Sequence, residues 1–235
     1  MRSVLSSRDW TSARAEFAEA SPVNHVVLDN FFTDSMLDSI RQSLRADGGW
    51  RQKNWQVRQL FCKEPPLPQL EDIVGAIKDG LGAIANGLEL VKHWAVVCHE
   101  NEGLHVHADN ARIAVNVWLT PDDFNSDPST GGMVLLDLLR PAEMPVHEFN
   151  AMPWSGQYVK ESGKRKEQRI PYRSNRAIVF DARAFHFSED VAFAGDDFDS
   201  MRLGLTLAFD NPLEYAERMR VYGETGNSEE GKADE

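Results

Sequence analysis

The sequence predicts a mainly β chain, a sandwich or barrel with N-terminal helices packed on one outer face. Three observations carry that reading. From residue 88 onward short β-rich runs recur ("LELVKHWAVVCHE", "ARIAVNVWLT", "GGMVLLDLL", "RAIVFD", "FHFSEDVAF", "MRLGLTLAF"), separated by Gly, Pro, Asp and Ser clusters. Before them, two segments carry apolar residues at helical spacing. The last run sets Arg202, Gly204 and Thr206 on one side of a strand and Leu203, Leu205 and Leu207 on the other, because successive side chains in a strand point to opposite faces. Helices first and many short strands after them describe a mainly β sandwich or barrel braced by helices on one outer face.

The elements follow in order. "HVVLDNFF" (25–32) reads as a strand, and "TDSMLDSIRQSLRAD" as a helix with Met36, Leu37, Ile40 and Leu44 on one face behind a Thr33 or Asp34 cap. "PPLPQ" (65–69) breaks the chain, and Leu70, Ile73, Val74, Ile77, Leu81 and Ile84 then share the face of a second helix. The N-terminal third is therefore expected to be mostly helical, up to residue 87. The final "GETGNSEEGKADE" is polar, acidic and aperiodic, which predicts a disordered end to a C-terminal extension over 213–235.

Composition narrows the function. At 235 residues, 42% hydrophobic and 26% charged, the chain suits one globular domain with decorations. It has no stretch of about 20 apolar residues and no apolar signal segment at its start, so a soluble, cytoplasmic protein is expected. Cys62 and Cys98 have no metal-ligand spacing and suggest a reducing compartment. A formal net charge of -12 argues against a nucleic-acid partner, which would require clustered Lys and Arg to displace counterions. A small-molecule, amino-acid or peptidyl substrate fits better.

The chemistry concentrates in "HVHADNARIAVNVWL" (105–119). His107 and Asp109 stand two apart, so on a strand they present an imidazole and a carboxylate side by side. His186, after "RAIVFD" and a turn, is the candidate third ligand; two histidines and one carboxylate form a facial triad that leaves coordination positions open on Fe(II). Arg202 faces the same interior, and a buried guanidinium needs an anionic partner. A bound dicarboxylate would supply one, with the Thr206 hydroxyl adding a hydrogen bond and Gly204 leaving room. Asn116, polar in an apolar strand, is either a contact to that dicarboxylate or to substrate, or a satisfied core amide.

Through "HAD" (107–109), "GG" (131–132), "FH" (185–186) and "RLGLT" (202–206), the chain resembles the 2-oxoglutarate- and Fe(II)-dependent oxygenases, in particular the prolyl-hydroxylase-like group. The resemblance covers roughly residues 25–212. It implies a double-stranded β-helix, or jelly-roll, over 88–212, with helical support over 1–87, the two forming a single domain. It also implies Fe(II) held by His107, Asp109 and His186, 2-oxoglutarate anchored by Arg202, and dioxygen as the second co-substrate. The expected reaction is hydroxylation of a C–H bond with release of succinate and carbon dioxide. Asp109 fills the carboxylate position, which favours hydroxylation over halogenation. One departure is that nothing in the chain matches the tyrosine that often assists 2-oxoglutarate binding in prolyl hydroxylases. The alternative is a cupin-like or regulatory jelly-roll that binds metal without redox chemistry.

Other residues could take the same roles. His105 makes "HVH" a cupin-like pair, but Ala111 and Arg112 stand where cupins carry a glutamate. His25, His93, His99 and His147 lack a partner pattern and read as structural or solvated. Trp94, Trp118 and Trp154 are either pocket lining or core. Arg112 and Arg176 are the fallback anchors should Arg202 fail. The connection over 138–173 carries Trp154, Tyr158 and the basic cluster Lys164, Arg165, Lys166 and Arg169; it reads either as a solvated loop or as a lid attracting an anionic substrate group.

Overall fold

The computed structural model describes residues 3–54, 57–98, 103–193, 195 and 197–222. Helix α1 (Trp10–Glu19), strand β1 (His25–Leu28) and helix α2 (Asp34–Ala46) precede a hairpin of β2 (Arg51–Asn54) and β3 (Val57–Lys63). Helix α3 (Leu70–Leu81) leads into β4 (Glu89–Cys98), β5 (Ile113–Trp118) and β6 (Met133–Leu139). Two short helices, α4 (Val146–Asn150) and α5 (Trp154–Glu161), come before β7 (Glu167–Ile170), β8 (Ala177–Asp181), β9 (Ala184–Ser188), β10 (Arg202–Asp210) and α6 (Pro212–Tyr222).

Among the described residues the strands form two antiparallel sheets, a jelly-roll with a larger sheet β1-β8-β5-β10-β4-β3-β2 and a smaller one β7-β6-β9. Strand β10 sits inside the larger sheet, with Thr206 opposite Asn116 of β5 on one side and Trp94 of β4 on the other. Both of its faces are buried, the polar one included. Leu203, Leu205, Leu207 and Phe209 join one core layer with Ile40 and Leu44 of α2 and Ile73, Ile77 and Leu81 of α3. Each such leucine contributes about 1.5–3 kcal/mol by leaving water. Arg202, Gly204 and Thr206 face the space between the sheets.

Two glycines are dictated by packing. Gly131 has φ 79°, a left-handed conformation that side chains disfavour. A Cβ on Gly132 would stand 2.3 Å from the Ile170 carbonyl oxygen, so β6 can pair with β7 only with hydrogen there.

The N-terminal third holds the expected strand and two helices and, besides them, α1 and the strands β2 and β3, which the sequence did not announce. The β2–β3 hairpin lengthens the larger sheet beyond β4, and β1 closes its opposite edge on β8. The connection over 138–173 is not an irregular loop: α4 and α5 pack on the outer face of the smaller sheet, where Val146 and Phe149 meet Val134, Leu136 and Phe185. The start of the C-terminal extension is helical, as α6, while residues 223–235, expected to be disordered, lie outside the described residues, as does His99. Among the described residues no helix is long and apolar enough to cross a membrane.

Candidate active site

His107 and Asp109 lie on the approach to β5 rather than on a regular strand. His107 forms a two-way backbone bridge with His186, at 2.9 and 2.7 Å, and so adds to the free side of β9. Asp109 N donates to the Ala182 carbonyl at 2.9 Å. This bridge brings two distant parts of the chain to one point. His107 Nε2 is 3.9 Å from Asp109 Oδ1, and His186 Nε2 is 3.9 Å from Asp109 Oδ2. The three donor atoms lie within 4.8 Å of one another and could hold a metal ion.

Each imidazole is oriented by its other nitrogen. His107 Nδ1 lies 2.7 Å from the His105 carbonyl and His186 Nδ1 3.0 Å from the Ala184 carbonyl. A carbonyl only accepts, so both Nδ1 atoms carry hydrogen, and each Nε2 is the ring atom turned towards Asp109 and placed to ligate a metal. The donor set, two imidazoles and a carboxylate, suits a divalent transition metal such as iron.

The triad opens into a pocket of about 430 Å³, counted with its mouth, between the two sheets. Trp94, Val96, Leu104 and Met133 provide apolar lining, and Asn116, Ser188, Arg202 and Thr206 are its other polar residues. Arg202 is 3% exposed. Its Nε donates to the Gly131 carbonyl at 2.7 Å, and its remaining nitrogens reach only Ser188 Oγ at 3.5 Å and Cys98 Sγ at 3.7 Å. No carboxylate among the described residues pairs with it. Burial pushes the Cys98 thiol up, so Arg202 faces a neutral thiol there rather than a thiolate.

Two more polar atoms on the inner face of β5 are buried without a partner among the described residues: Asn116 Oδ1 and Trp118 Nε1. Asn116 Nδ2 donates to Thr206 Oγ1 at 2.8 Å. Turning the amide over would let the Thr206 hydroxyl donate to Oδ1 and leave the NH2 group available to an anion. A Cβ added to Gly204 would meet nothing nearer than Trp118 Cδ1 at 3.9 Å, so the strand leaves open space beside Arg202. A buried cation without a carboxylate, a neighbouring orphaned donor and this space fit a bound dicarboxylate.

Arg112 pairs with Glu214 at the surface and Arg176 with Asp29, so neither enters the pocket. His105 touches the Asn150 carbonyl at 3.3 Å and does not line the pocket. His25 and His93 each contact a backbone carbonyl, and His147 neighbours Glu148. Trp94 is pocket lining, Trp118 is core behind Arg202, and Trp154 is half exposed. No pocket-lining residue comes from 138–173, and Arg169 is ion-paired with Glu167 and Glu189. Ser188 and Tyr172 are additions. Ser188 was legible, since it follows His186 by two on β9 and must share its face. Tyr172 stacks on Trp118 at 5.1 Å and donates its hydroxyl to the Thr120 carbonyl at 2.5 Å, so that group is committed to backbone.

No protein-family profile matches the sequence, and no curated protein matches it. Solved structures do. A prolyl hydroxylase from Trichoplax adhaerens in complex with a hypoxia-inducible-factor peptide fragment superposes with a TM-score of 0.58 at 15% identity, over 88% of this chain and 91% of that one. The fold is that of the 2-oxoglutarate- and Fe(II)-dependent oxygenases. A member of the 2OG-Fe(II) oxygenase family from Burkholderia pseudomallei gives a TM-score of 0.57 at 12% identity, over 88% of this chain and 92% of that one. The epimerase SnoN, in complex with Fe3+, α-ketoglutarate and nogalamycin RO, gives 0.58 at 13% identity, over 86% and 83% of the two chains. Within one oxygenase fold these neighbours include both a hydroxylase and an epimerase.

Proposed function

We propose that this chain is an Fe(II)- and 2-oxoglutarate-dependent dioxygenase that hydroxylates a C–H bond of a small molecule, amino acid or peptidyl residue. One observation carries the reading: a single pocket has a His107–Asp109–His186 donor set and, in the same cavity, a buried Arg202 with no carboxylate partner among the described residues. His107, Asp109 and His186 would hold Fe(II), the backbone tethers on both Nδ1 atoms keeping each Nε2 aimed at the metal. Arg202 would take the distal carboxylate of 2-oxoglutarate, with Thr206 and a turned Asn116 completing its hydrogen bonds. When bound, the metal with 2-oxoglutarate and dioxygen supplies oxidative decarboxylation to succinate and carbon dioxide, coupled to oxidation of the substrate. The chain's own task is positioning and exclusion of water, to which the apolar walls at Val96, Leu104 and Met133 contribute. Residues 1–212 would act as one catalytic domain in a reducing, cytoplasmic setting.

The test is succinate formation by protein reconstituted anaerobically with Fe(II), then given 2-oxoglutarate and air, with and without candidate substrates. Iron-dependent succinate release, stimulated by the true substrate, is expected. Iron binding without any succinate would overturn the oxygenase reading in favour of a non-redox metal protein.

A further inference from the structure

Helix α6 follows β10 directly and buries none of its residues, so apolar packing does not explain why it is docked. Its buried tie is polar. Arg218 pairs through one terminal nitrogen with the carboxylate of Asp210, which is fully buried at the end of β10, and donates from Nε to Asn110 Oδ1 at 3.1 Å. Asn110 is the residue after Asp109, and its amide nitrogen reaches Met219 Sδ at 3.1 Å. The neighbouring backbone is held from the other side: Arg140, 6% exposed, donates from Nε to the Asp109 carbonyl at 3.2 Å and stacks over Phe149 at 4.5 Å. Asn211 caps the start of α6, its side chain accepting from the amides of Leu213 and Glu214, so the helix leaves β10 in a fixed direction.

We infer that α6 is a clamp on the metal-binding loop, in which Arg218, braced by Asp210, fixes Asn110 and thereby the placement of the Asp109 carboxylate. The inference rests on the triad reading above. Its basis is geometric: residues 108–112 are not in a strand, and among the described residues the Asn110 and Ala111 amides, between Asp109 N on the Ala182 carbonyl and Arg112 N on the Phe209 carbonyl, make no backbone hydrogen bond. Arg140 holds the Asp109 carbonyl and Arg218 holds the next side chain, which leaves the peptide between them little freedom. Arg218 is a positioning residue, acting on the site only through Asn110. The fork geometry of a guanidinium is needed, because the same group must serve Asp210 and Asn110 at once. Partners that orient metal ligands typically change metal affinity about 10- to 100-fold when removed.

The experiment is calorimetric titration of Mn(II), a redox-silent probe, into the full-length protein, alongside melting of each metal-free variant. Asn110→Ala cuts the link to the loop and leaves the Arg218–Asp210 pair in place. It is expected to weaken Mn(II) binding about tenfold or more with the metal-free melting temperature unchanged. Arg218→Lys keeps a charge against Asp210 but cannot fork, and should restore the melting temperature lost in Arg218→Ala without restoring Mn(II) affinity. Arg112→Ala, which cuts only the exposed pair from α6 to Arg112, should bind Mn(II) as the wild type does. Wild-type Mn(II) affinity in Asn110→Ala overturns the clamp, as does a loss matched by a lower metal-free melting temperature, which is ordinary destabilisation. A wild type that binds no Mn(II) instead sinks the triad reading, and the clamp with it.

Discussion

The Arg202 guanidinium lies over the face of Trp118, its central carbon 5.5 Å from the ring centroid. Tyr172 stacks on the same indole, so two aromatic rings back the cation while Nε is fixed on the Gly131 carbonyl. The guanidinium is thus oriented before any anion arrives, and little of the binding energy is spent on ordering it.

Arg202→Ala should therefore weaken 2-oxoglutarate binding by roughly one to two orders of magnitude or more, since hydrogen bonds to a charged group are worth about 1.5–3 kcal/mol each. Mn(II) affinity should stay at the wild-type value. Calorimetry with each ligand in turn decides it. An unmoved 2-oxoglutarate affinity would place the anchor elsewhere.

Gly204→Val separates folding from binding. The space above Gly204 admits a Cβ without a clash, so the metal-free variant should melt within a few degrees of wild type. The added methyl groups would enter the pocket beside Arg202 and reduce 2-oxoglutarate affinity at least tenfold. If affinity is retained, the co-substrate does not lie over β10.

His107→Ala, Asp109→Ala and His186→Ala should each abolish iron-dependent turnover and lower Fe(II) affinity, with the fold retained. The bridge between His107 and His186 is made by backbone groups and survives all three changes. Circular dichroism checks the fold and metal titration the site. Undiminished Fe(II) affinity in all three variants would refute the ligand assignment.

Neutralising Lys164, Arg165, Lys166 and Arg169 together should leave the substrate KM and its salt dependence as in wild type. The segment flanks α5 and β7 on the outer side of the smaller sheet, and Arg169 is already neutralised by Glu167 and Glu189. A raised KM that salt abolishes would return the cluster to a role in substrate capture.

By itself the sequence determined whatever depends on local period. The alternation in "RLGLTLAF" specified a strand with Arg202, Gly204 and Thr206 turned to one face and the leucines to the other, because a strand leaves no other choice; that the polar face is buried as well was decided by the second sheet. Helices α2 and α3 were legible from apolar spacing for the same reason. The order of His107, Asp109, His186 and Arg202 carried the resemblance to an oxygenase, but their convergence did not follow from spacing. It required the bridge between His107 and His186, a contact between distant segments that only closure of the jelly-roll creates. Tertiary structure alone also decided that 138–173 packs outside the smaller sheet rather than over the pocket, that β2 and β3 extend the larger sheet, and that Arg140 and Arg218 reach the residues around Asp109. In each case the partner is remote in sequence, and an arginine's pattern along the chain is the same whether it ends in water or against a buried carboxylate such as Asp210.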